Sequence, residues 1–143
     1  MPNLQELENA MPVAPLKIVA LTSAEKMGRR INDYLVEFRK SIHNDKVKND
    51  PAFHGYSESN YLVNVSTPRF GSGEAKAVFG ESIRGKDLFL LVDVCNHSIT
   101  YNMNGYTNHM SPDDHYQDLK RVIAACNGKA HRFNVIMTFL YEG

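Results

Sequence analysis

Eight residues, Asp87–Val94, read DLFLLVDV, and their apolar side chains run together without the alternation of a half-wet strand. A strand wetted on one face alternates polar with apolar; a run apolar on both faces needs cover on both sides, which helices supply in α/β folds. This run predicts a central strand of a mainly parallel sheet. The rest of the chain must then supply neighbouring strands and the helices that cross between them.

It does so in order. Leu16–Thr22 (LKIVALT) is a short apolar run of buried-strand character, and Phe133–Tyr141 (FNVIMTFLY) is another. After the first, Thr22 and Glu25 have capping-box spacing, and Met27, Ile31, Leu35 and Phe38 recur at helical intervals, predicting a helix to about Lys40. Ahead of the second, Ser111 stands as an N-cap before Pro112, Asp113 and Asp114. That is a helix start, with Tyr116, Leu119, Ile123 and Cys126 as its buried face and Gly128 as its left-handed stop.

Between these units, Tyr61–Ser66 and Glu74–Phe79 form two partly alternating runs joined by TPRFGSG, which predicts a β-hairpin turning at Gly71 and Gly73. Residues 41–60 and 95–110 are polar connections, and residues 1–15 form an expected flexible arm. The expected architecture is one α/β domain over residues 16–143: a mainly parallel sheet flanked by helices, with an antiparallel hairpin.

Charge and cysteine content narrow the function classes. Sixteen basic residues balance sixteen acidic ones, so no summed positive field draws the chain to nucleic acid or an anionic membrane. Cys95 and Cys126 make neither a disulfide framework nor a zinc site. The stretch MPNLQELENAMPVAP lacks the basic and apolar regions of a secretion signal, so the expected location is the cytoplasm.

Two motifs invite chemistry. Gly80–Asp87, GESIRGKD, has the glycine and lysine spacing of a P-loop, but a P-loop joins a strand to a helix and ends in Ser or Thr. Here Asp87 follows and a strand begins, so a β-β turn with Gly85 at a special backbone angle is expected. His109, Asp113, Asp114 and His115 are all ligand types, yet the two acids are what a helix start recruits, and capping is the expected role. No Ser, His and Asp set stands in a nucleophile context.

Arg69–Glu74 (RFGSGE) followed at fixed distance by Glu81–Asp93 (ESIRGKDLFLLVD) resembles the ribose-phosphate diphosphokinases, the phosphoribosyl pyrophosphate synthases. The opening strand and helix, INDYL on that helix, SPDDHYQDLKRVI and VIMTFLY fall in family order, so the resemblance covers most of Leu16–Tyr141. Ser72 stands where the family has Asp or Asn, and the connections 41–60 and 95–110 are long, which marks a long-loop subgroup.

The resemblance implies a phosphoribosyltransferase-like N-terminal domain of an enzyme that transfers diphosphate from ATP to ribose 5-phosphate, with Mg²⁺, giving phosphoribosyl diphosphate and AMP. It implies ATP binding at Phe70, Ser72, Gly73 and Glu74, with Phe70 on the adenine ring. It implies regulatory phosphate binding at Ser82 and Arg84, and a homo-oligomer in which the hairpin reaches a neighbouring subunit's ATP. The family's magnesium ligands and catalytic basic residues follow the last strand, so this chain is expected to be inactive alone. The alternative is a noncatalytic associated subunit of the same family.

Overall fold

The computed structural model describes residues 10–42 and 49–143. Most of the expected arm, residues 1–9, and residues 43–48 of the first connection lie outside the described residues. Three parallel strands form the sheet in the order β1-β4-β7, with β1 at Leu16–Ala20, β4 at Asp87–Val92 and β7 at Arg132–Met137. Asp87–Val94 therefore holds the centre, as its apolar run demands. Leu88, Leu90, Leu91 and Val92 are each at most 1% exposed.

Helix α1 (Glu25–Ser41) and helix α2 (Pro112–Cys126) cover opposite faces of the sheet. Leu88, Leu90 and Val92 join Leu119, Val122 and Cys126 in one cluster, while Leu91 joins Ile18, Ala24 and Tyr61 under Met27, Leu35 and Val36. Each fully buried aliphatic side chain contributes about 1.5–3 kcal/mol. The double-sided pattern of β4 is the sequence-level cause of this three-layer arrangement.

The α1 register differs from the predicted stripe. Ile31 is 36% and Phe38 39% exposed, and the buried helix positions are Gly28 and Asn32. The reason is local. Tyr61 and Val63 run beside β1, where Ile18 exchanges backbone bonds with them (2.8 Å each), and the Tyr61 N–H donates to the Asn32 side-chain oxygen at 2.8 Å. Satisfying that buried donor turns Asn32 inward. Gly28 lets the helix approach, since a Cβ there would lie 2.5 Å from the Ala20 Cβ. The Thr22–Glu25 capping box does not form; Thr22–Ala24 make a 3₁₀ turn and α1 starts behind Ala24 without a side-chain cap.

Helix α2 begins as its sequence announces. Ser111 and Asp114 make a reciprocal capping box with Pro112 in the first turn. Its buried face takes Val122, whereas Ile123 is 36% exposed, because His115 and Asp118 also turn inward to hydrogen-bond. The left-handed cap falls on Asn127 (φ 46°), one residue before Gly128 (φ 65°).

Two small antiparallel ladders lie outside the sheet. Strand β2 (Val65–Ser66) pairs with β3 (Val78–Phe79), the base of the predicted hairpin. Strand β5 (Thr100–Met103) pairs with β6 (Tyr106–His109) within the polar connection 95–110. Asn104 (φ 53°) and Gly105 (φ 82°) make that turn, both left-handed, as a two-residue type I′ hairpin requires. Strand β7 ends at Met137 rather than Tyr141. No described helix is long and apolar enough to cross a membrane.

Candidate functional site

Beyond the β2–β3 ladder the hairpin continues as a ribbon. An isolated bridge joins Arg69 to Ala75, the Phe70 N–H donates to the Glu74 carbonyl at 2.7 Å, and the Gly73 N–H returns to the Phe70 carbonyl at 2.9 Å. Gly73 sits at φ 88°, a conformation that a side chain disfavours and the reversal needs. The five residues Phe70–Glu74 thus make one closed tip.

The tip presents an aromatic and an acid together. Phe70 is 48% exposed, a large apolar side chain left in water. The Ser72 hydroxyl donates to Glu74 Oε2 at 3.2 Å and accepts from the Glu74 N–H at 3.4 Å, so the carboxylate is held close to the turn. A flat aromatic face with a carboxylate and backbone groups at its side suits a heterocyclic base: the ring stacks, and the polar groups meet edge donors and acceptors.

Behind the tip lies a buried ionic knot. Arg69 donates to both oxygens of Asp118, at 2.7 and 3.1 Å, and the two side chains are each 6% exposed. Thr67 Oγ1 (3.1 Å) and Arg121 Nη1 (2.7 Å) complete the carboxylate's shell. The Arg69 guanidinium also stands 4.8 Å from the Tyr101 ring centre. A planar fork matched to a carboxylate fixes orientation as well as distance. The knot ties the ribbon to helix α2.

Sequence reading missed this support. Nothing in the local pattern marks Asp118 as buried, because an acid inside an amphipathic helix reads as solvated. The Asn104–Gly105 dipeptide was a legible hairpin signal. Its Asn104 amide donates to the Gly71 carbonyl at 3.2 Å, so the second hairpin touches the tip of the first.

Ser82 and Arg84 lie on a separate loop, between β3 and β4. Both are exposed, and the Arg84 N–H reaches Ser82 Oγ at 3.5 Å. Gly85 (φ 68°) turns the chain and donates to the Lys129 carbonyl at 2.9 Å. GESIRGKD is a β-β turn, with no helix to aim amides at phosphate. A cleft of about 370 Å³ also opens beside the carboxyl ends of the sheet strands, lined by Ser23, Asp93, Asn96 and Thr138 among others. Those polar groups bond to one another: Asp93 accepts from Thr138, its N–H donates to Ser23, and Asn96 donates to the Ser23 carbonyl.

The histidine and aspartate group has structural partners. Asp114 caps α2, Asp113 accepts from the Tyr141 hydroxyl, and the His115 ring meets the Asn96 carbonyl at 2.9 Å. Among the described residues no three His, Cys, Asp or Glu side chains converge as they do round a metal ion. Among the described residues the side chains do not fit a magnesium site.

A family model describing the N-terminal domain of ribose phosphate pyrophosphokinase matches residues 16–143. Among curated proteins there is no match to the chain.

Proposed function

The chain belongs to the ribose phosphate pyrophosphokinase family as its N-terminal domain, and on that premise we propose that it supplies the adenine-binding ribbon of an enzyme that makes phosphoribosyl diphosphate. In that reaction the 1-hydroxyl of ribose 5-phosphate attacks the β-phosphorus of ATP. The bond from that phosphorus to the α-phosphate oxygen breaks, and AMP leaves. Magnesium and cationic groups stabilise such transfers. This domain's part is binding: Phe70 stacks on the adenine, and Ser72, Gly73 and Glu74 meet its edge.

The observation that carries this reading is the exposed Phe70 at the tip of a ribbon anchored by a buried ion pair. A side chain meant only for the core has no need of that placement. A ribbon tip standing off its own sheet suits delivery to an adjoining protomer, so the working unit is a homo-oligomer. Ser82 and Arg84 serve as an exposed contact for a regulatory phosphate. The 143-residue chain alone makes no AMP from ATP and ribose 5-phosphate.

The test is AMP formation by the full-length enzyme and its Phe70→Ala variant. Losing a stacking face raises the ATP KM by roughly 5- to 150-fold, the equivalent of about 1–3 kcal/mol. An unchanged ATP KM, or AMP formation by the isolated chain, refutes the assignment.

A further inference from the structure

The β5–β6 hairpin adds no strand to the parallel sheet and no residue to the main core clusters. Tyr106 is 75% exposed, and both strands are half-buried at best. A lone two-stranded hairpin is marginal in water and needs something to lean on. What it meets is the ribbon that carries Phe70.

Three contacts join the two hairpins, and they come from neighbouring positions. Tyr101 lies against the Arg69 guanidinium, the Met103 sulfur sits 3.2 Å from where a Cβ on Gly73 would be, and the Asn104 amide donates to the Gly71 carbonyl at 3.2 Å. The contacts fall on residues 69, 71 and 73. Phe70, Ser72 and Glu74 take no part in them. Residues 71 and 73 are glycines with no side chain of their own, so the support leaves the Phe70, Ser72 and Glu74 side chains free for a ligand.

We infer that the β5–β6 hairpin is a brace that fixes the pose of the nucleotide-gripping tip, with Asn104 as its positioning residue. The inference rests on the function proposed above. A loose tip must be ordered when a nucleotide binds, at an entropic cost for each residue fixed. The brace orders it beforehand. Asn104 joins the two turns through one side-chain bond, and its own left-handed backbone keeps the amide aimed at the ribbon.

That backbone makes a clean variant available. Asn104→Gly keeps the φ 53° turn accessible while removing the amide. In the full-length enzyme the ATP KM is expected to rise by about threefold to tenfold, the range of one hydrogen bond. The kcat, the ribose 5-phosphate KM and the melting temperature are expected to stay within error of wild type. Hydrogen exchange in the same protein provides a readout independent of turnover: the Phe70 and Gly73 amides exchange faster in Asn104→Gly. Unchanged exchange at those amides with an unchanged ATP KM overturns the brace alone. A wild-type enzyme that makes no AMP from ATP and ribose 5-phosphate overturns the proposed function instead, and the exchange result then still judges the mechanical link.

Discussion

Removing the Asp118 carboxylate is the sharpest test of how the site is held. In the Asp118→Ala variant Arg69 loses both of its carboxylate bonds while its side chain, 6% exposed in the native fold, stays out of reach of bulk water. The Tyr101 ring still faces the guanidinium, and it carries no charge to compensate it. Breaking one partner of a buried pair costs about 3–5 kcal/mol, because an uncompensated charge remains. Arg121 is 21% exposed and can turn to solvent, so it adds little to that figure.

For a domain of this size each kcal/mol moves the melting temperature by about 3 °C, so Asp118→Ala lowers it by roughly 10–15 °C. Thermal and urea unfolding of the chain measure the loss. The paired variant Arg69→Met with Asp118→Leu removes both charges and is expected to cost less than Asp118→Ala alone. A melting temperature for Asp118→Ala within about 3 °C of wild type refutes the claim that the carboxylate compensates a desolvated arginine. So does a paired variant less stable than the single one.

Other sites give independent checks. Gly28→Ala forces a Cβ to within 2.5 Å of the Ala20 Cβ, so despite a better helix propensity it lowers stability by about 1–3 kcal/mol in urea unfolding; a more stable variant contradicts the close helix–strand approach. Burial pushes the Cys126 thiol up to about 11, while Cys95 is exposed. A thiol reagent at pH 8 should therefore modify one cysteine per native chain rapidly and the second only after unfolding. The hydrogen bond to Asp113 raises Tyr141 from 10.0 to about 12, so the neutral phenol is favoured in the folded state. Its stabilising effect is fully present below pH 10 and fades as the pH climbs towards 12; ultraviolet titration of Tyr141→Phe should lose a phenol that ionises near pH 12 in the wild type.

The layered fold was readable because its signals are repetitive. Unbroken apolarity placed Asp87–Val92 at the sheet centre, and Ser111, Pro112 and Asp114 started α2 where they stand. Registers failed where one long-range polar bond outweighed many local ones. Asn32 turns inward for the Tyr61 amide, and Asp118 for Arg69, 49 residues earlier, which displaces Ile31 and Ile123 toward water. Hydrophobic periodicity carries no information about such partners. The reversal over Phe70–Glu74 was legible from its turn glycines, Gly71 and Gly73. Their supports, Asp118 and Asn104, were not, since each looks solvated in its own segment.

The ribbon's anchors also set an order of events during synthesis. Asn104 and Asp118 lie 33 and 49 residues after the ribbon positions they hold, so a nascent chain exposes Phe70 well before either partner has left the ribosome. During that interval an apolar ring rides on an untethered hairpin. Translation speed across residues 75–118 therefore sets how long the emerging chain remains open to unwanted association.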